Sequence, residues 1–171
     1  MRPLREEYNF KTTQENAVKL CLDALVSGEY QQARHVLCKV SENPGSPDKY
    51  CCLGVFTEVF RKYEPDYPIT ERVEYVQVAG EDEDDSEDRD VAARYYTYEG
   101  DHGGREVWSS LLPVIINWLG FYGSWGANRT IAGLSLANLN DKNKSFKEIH
   151  DILKAELAAY SVKDDGSPLL V

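Results

Sequence analysis

The chain has 171 residues, 42% of them hydrophobic, which suits one domain with enough length to bury a core. Its formal net charge is −10, so it repels phosphate backbones and bulk DNA or RNA binding is disfavoured. Met1–Glu7 lacks an apolar signal core and no stretch approaches the roughly 18 apolar residues of a membrane span, which argues against membrane insertion and predicts a cytoplasmic chain with reduced thiols.

Thr12 is placed to cap a first helix, with Glu15 completing a capping box. Ala17, Leu20, Cys21, Ala24 and Leu25 then share one helical face, and Ser27-Gly28 ends it. Glu29 to Val40 is ambiguous. Val36, Cys38 and Val40 alternate as in a strand, while Gln31 to Leu37 allows a helical turn. Ser41 to Pro47 is a loop rich in Pro, Gly, Asn and Ser. Asp48 is predicted to cap a core helix whose stripe runs through Cys52, Val55, Phe56, Val59, Phe60 and Tyr63. Gly54 inside that helix costs about 1 kcal/mol relative to alanine. A glycine kept at such a cost points to close packing against another backbone.

Pro65 and Pro68 break the chain. Val73 to Val78 and Val91 to Tyr98 read as the strands of a hairpin. Their connection over 80–90, with the run Glu81 to Asp88, is expected to be a solvated, mobile acidic loop. A DNA-mimicking surface would need acids spaced along an ordered face, which a consecutive run does not supply. Pro113 opens a short helix and Gly120 stops it. Leu134, Leu136 and Leu139 form a packed turn. Ser145 and Glu148 make the capping box of a last helix that buries Phe146, Ile149, Ile152, Leu153 and Leu157, and 163–171 is a frayed tail. The fold class predicted is α+β, with a compact, mostly helical domain of about four helices and a small antiparallel hairpin, as one domain over 1–171.

Catalytic machinery is sparse. There is no G-x-S-x-G elbow and no phosphate-cradling P-loop pattern. Cys21, Cys38, Cys51 and Cys52 form no C-x-x-C pair and fit no common zinc spacing. His35 near Cys38 leaves a mixed site open, but buried thiols are the simpler reading, so no metal and no cofactor are predicted. Asp141 would need a second carboxylate or a histidine nearby to act as a ligand or base, and none is close in sequence. Of His35, His102 and His150, only His102, in the turn 101–104, is read as open to a ligand, with acid–base work beside Asp101 or Glu106 as the minor alternative, and no catalytic residue is assigned.

The stretch 122–130 is the leading candidate for ligand binding. Bases stack on aromatic rings such as Tyr122 and Trp125, Arg129 offers a rigid fork for phosphate oxygens, and Asn128 adds polar contacts. The competing reading tucks Trp125 into the core and pairs Arg129 with an acid. Arg94, Tyr96 and Tyr98 offer a second wall, with His102 and Trp108 extending it. Strand alternation sends Tyr96 and Tyr98 to one face and Tyr95 to the other. One of those faces is core or an oligomer interface.

Four segments stand in a recognisable order: Leu25 to Gln32, Tyr50-Cys51-Cys52-Leu53-Gly54-Val55, Leu112-Pro113 leading to Trp118-Leu119-Gly120, and Leu139-Asn140-Asp141 leading to Ser145-Phe146 and Ile149. Together they resemble a large family of small proteins encoded by tailed bacteriophages, over roughly Ala17 to Leu157. The insert from Ile69 to Gly100 departs from the shorter members. The resemblance implies a phage origin and a compact, mostly helical core, and it carries over no catalytic residue. Small phage proteins of this size and charge often counter host defence, and one class sequesters cyclic or ADP-ribose-type signals. By that analogy the expected function is capture of a small nucleotide-type host signal, without chemistry, in the host cytoplasm, with a homo-oligomer as one possible form. Two alternatives stay open: inhibition of a host defence protein through the acidic insert, and a phosphodiesterase-like enzyme using His102.

Overall fold

A computed structural model describes residues 8–78, 89–100, 106–121 and 135–162. Among them lie five helices and six strands: α1 (Gln14–Val26), β1 (Gln31–Gln32), β2 (Cys38–Lys39), β3 (Lys49–Tyr50), α2 (Cys52–Tyr63), β4 (Thr70–Val78), β5 (Arg89–Thr97), β6 (Glu106–Val107), α3 (Pro113–Leu119), α4 (Leu136–Asp141) and α5 (Phe146–Val162). The expectation of a mostly helical domain with a small hairpin is therefore corrected. The protein is α+β with a substantial mixed sheet. Its order is β1-β3-β2-β5-β4, and β6 adds to β5 beside β2. β1 and β3 are parallel and every other pairing is antiparallel. Four of these strands are two residues long, too short to show a period of two in the sequence. They turn the hairpin β4–β5 into the far side of a six-stranded sheet.

One face of β5 and helices α1, α2, α3, α4 and α5 enclose the main core, where Trp118, Tyr96, Phe56 and Phe60 are fully buried. Val36, Val76, Val91 and Ala93 form a smaller cluster, with Tyr95 and Trp108 packed on it. Alternation along β5 separates the two, since Tyr96 serves the first and Ala93 and Tyr95 the second. Pro113 and Gly120 bound α3 as their positions imply, with Gly120 at φ 70°.

The helix starts differ instructively. Thr13, not Thr12, caps α1, its Oγ1 accepting from Asn16 N. The reason lies 52 residues away. The buried Glu64 carboxylate accepts Thr12 N at 2.8 Å, Lys11 N at 2.9 Å and Trp118 Nε1 at 3.1 Å, which pins the chain just ahead of the helix. Glu64→Gln keeps the shape but turns an NH2 group onto one of these donors. It should cost about 2 kcal/mol in urea unfolding. An unchanged midpoint would mean the latch carries no stability.

Asp48 does not cap α2. Cys51 does, its Sγ accepting from Gly54 N at 3.4 Å. The capping box of α5 forms as its sequence predicts: Glu148 N donates to Ser145 Oγ, and Ser145 N to Glu148 Oε2. The Lys144 ammonium, with the Ser145 N–H and hydroxyl, holds the Glu148 carboxyl down at about 2. A carboxyl lowered on folding stabilises fully above its ordinary value of about 4.3 and stops doing so as pH falls through its folded value. The box should thus weaken between those limits. A carbon-13 titration of Glu148 should show a midpoint near 2, and a midpoint in the ordinary range would remove the box as its cause.

Candidate functional site

The short strands that the sequence hid build a polar concavity beside the α4–α5 junction. In the β2–β3 pair, Lys39 stands directly opposite Lys49. Directly opposed side chains share a face about 5 Å apart, and like charges there are destabilising. Both lysines line a cavity of about 200 Å³ with Gln32, Arg34, Asn143 and Lys144. Its described lining therefore carries four cationic side chains in a chain of net charge −10, one of them, Lys144, paired with Glu148 at 2.9 Å.

Its base is a network of uncharged groups. Gln32 Nε2 donates to Asn140 Oδ1 at 2.9 Å and to Lys144 O at 2.8 Å, while Gln32 Oε1 accepts from Phe146 N at 3.1 Å. The buried Asn140 also accepts from Cys52 N at 3.3 Å and donates to Ala33 O at 2.8 Å. One glutamine and one asparagine thus tie β1, the start of α2 and the α4–α5 junction together. Beside them His35 N donates to Asp141 Oδ1 at 3.0 Å, and the ring Nδ1 lies 3.6 Å from Oδ2. Asp141 therefore has a histidine near it after all, brought from 106 positions away. Its carboxylate is engaged by the His35 backbone, which holds φ at 66°. The other non-glycine residue with positive φ among those described is Asn143, at 65°, which lines the cavity. Uncommon backbone conformations of this kind tend to collect at functional sites.

The residues anticipated from sequence are placed otherwise. Tyr122, Trp125, Asn128, Arg129 and His102 lie outside the described residues. Tyr96 lies in the core: its side chain is fully buried and its hydroxyl donates to Glu58 Oε1 at 2.9 Å. The Arg94 Nη2 lies 2.6 Å from Asp48 Oδ2, and 17% of the side chain is exposed. Tyr98 is half-buried with its ring 6.1 Å from that of Tyr67. Trp108 packs beside Tyr95 in the smaller cluster. These four do not form one wall.

No family model matches the chain, and no curated protein or solved structure matches it. Gln32, Cys52, Asn140, Asp141 and Phe146 all take part in the polar base just described. Sequence reasoning took these residues for packing and turns, because partners up to 114 positions apart bring them together.

Chemically the site is equipped to hold an anion. Among the described residues no group of three or more His, Cys, Asp or Glu side chains is placed to hold a metal ion. Burial pushes all four thiols up, Cys38 to about 11 and Cys51 to about 12, so each is a protonated thiol at neutral pH. No helix among the described residues is long and apolar enough to cross a membrane.

Proposed function

We propose that this protein captures a small phosphate-bearing ligand in the Lys39–Lys49 cavity and does no chemistry on it. The observation that carries this reading is the pair of directly opposed lysines, with Arg34 beside them, at a cavity whose described lining residues include no carboxylate. Like charges held face to face weaken the sheet, and a bound anion offsets that cost. The field works in the same direction. A strongly acidic surface repels extended polyanions, while one small cationic concavity concentrates a compact anion. Protonated thiols and a carboxylate engaged by backbone N–H support binding over turnover.

The resemblance to tailed-phage proteins supports a nucleotide-type signal of an infected host as the ligand, bound in the host cytoplasm. Titration calorimetry with pyrophosphate as the probe tests the reading. Saturable one-to-one binding that weakens as salt rises is expected, with the ligand recovered intact after denaturation by mass spectrometry. Absence of binding at millimolar pyrophosphate, or recovery of hydrolysed ligand, would overturn it.

A further inference from the structure

We infer that two copies of this chain associate by pairing their β4 strands edge to edge, antiparallel, about a two-fold axis through Val73. This inference is independent of the phosphate reading.

The edge itself is the first argument. β4 ends the sheet order, and no described strand lies beyond it. An open edge presents unpaired N–H and C=O groups, and folded proteins blunt such edges by shortening or bulging them, or by placing proline or lysine on them. The opposite edge, β1, is two residues long. β4 runs for nine residues, pairs with β5 in unbroken register, and contains neither proline nor lysine.

The outward-facing groups follow from one hydrogen bond. Val40 N donates to Ala92 O at 2.8 Å, so the backbone of Ala92 faces β2. Successive residues of a strand turn their N–H and C=O to opposite edges, so Ala93 faces β4, where Glu74 stands opposite it. Thr70, Arg72, Glu74, Val76 and Val78 are therefore the residues bonded to β5. Glu71, Val73, Tyr75 and Gln77 offer their N–H and C=O to a partner. Val73 and Tyr75 are also the two most exposed large hydrophobic side chains among the described residues, at 50% and 66%. Alternation puts both on one face of the strand.

Charge selects a second copy as the occupant and fixes the register. Like charges directly opposite each other are destabilising. An antiparallel self-pair centred on Arg72 sets that residue against itself, and one centred on Glu74 does the same with Glu74. Centred on Tyr75, the pair sets Arg72 and Glu74 against Val78 and Val76. Centred on Val73, it sets Arg72 opposite Glu74 of the partner subunit, twice by symmetry. The two copies of Val73 then meet at the axis, with Tyr75 on the diagonal. The strand is thus complementary to itself in one register. Arg72 is already engaged in the single chain, by Glu106 at 2.5 Å and by Glu74. Pairing leaves those contacts in place, because the register is selected by the like-charge oppositions that its neighbours create.

Sedimentation equilibrium on the full chain, from micromolar to submillimolar concentration, tests the inference. A reversible monomer–dimer equilibrium is expected. Val73→Pro removes a central N–H that β5 does not use, so the monomer should fold and the dimer should be lost. Arg72→Glu and Glu74→Arg each turn both opposed pairs repulsive, and each should weaken self-association about tenfold. Mixed together, these two variants regain complementarity and should form a heterodimer about as tight as the unchanged dimer. A chain that stays monomeric throughout would overturn the inference and leave the edge to an extended segment of another protein. A dimer that survives Val73→Pro would place the interface elsewhere and overturn it too. So would single charge variants that associate as the unchanged chain does, or that fail to recover on mixing. The charge variants decide the matter if Val73→Pro does not fold.

Discussion

Gly54→Ala lowers the unfolding free energy by about 4 kcal/mol, a large part of the 5–15 kcal/mol that holds a domain of this size together. Two effects compete at this position. Alanine is the better helix former by about 1 kcal/mol, so an exposed helix would gain from the change. Here a Cβ would lie 1.7 Å from the carbonyl oxygen of Leu37 and 2.6 Å from its carbonyl carbon. That neighbour is backbone and cannot swing aside. The Leu37 carbonyl accepts from Cys51 N at 3.2 Å, and Leu37 N donates to Trp108 O at 2.7 Å, so the segment is tied on both sides. Relief requires α2 to move away from Leu37, which disturbs β2 and the base of the candidate site together. The clash therefore wins. Urea unfolding followed by circular dichroism measures the loss, and a midpoint equal to or above that of the unchanged protein would show that α2 does not approach Leu37 so closely.

Lys49→Glu should act in opposite directions on stability and on binding. It replaces a like-charge pair with an opposite-charge pair across β2 and β3, which stabilises by about 0.5 kcal/mol at low salt and less at high salt. The same change puts a carboxylate into the cationic cavity. Pyrophosphate affinity should fall about 100-fold, through loss of a charge-assisted contact worth about 1.5–3 kcal/mol and the new repulsion. Thermal unfolding and calorimetry on the same sample read both quantities. A variant that loses binding while losing stability would mark Lys49 as a structural residue. A variant that binds as before would dissociate the lysine pair from any ligand.

Several features were legible in the sequence because they depend on neighbours along the chain. The Pro113 and Gly120 limits of α3 follow from what each residue does to its own backbone. Ser145 and Glu148 reach each other within one turn. The long strands of the hairpin were legible from runs of Val and Tyr. Even the close approach at Gly54 was implied by the cost of a helical glycine, though not the identity of the backbone it meets.

Other features were decided by partners far away in the chain. Thr12 had the right side chain to cap α1, but Glu64 claims its N–H, so Thr13 takes the role. Asp48 looked like a cap for α2 and instead accepts from Ser41 N and pairs with Arg94. Tyr96 alternated as a half-exposed strand residue should, yet the helices cover its face and bury it. The candidate site shows the same division most sharply. Gln32, Lys39, Lys49 and Lys144 have no periodicity or motif in common that would join them. The sequence by itself determined four of the helices, the hairpin strands and the acidity, but took α4 for a packed turn. Only the tertiary structure decided that two-residue strands would pair and set two lysines face to face beside an asparagine 88 residues from the helix start it holds. Local propensity acts over a few residues, whereas strand register and buried hydrogen bonds are settled when the whole core closes.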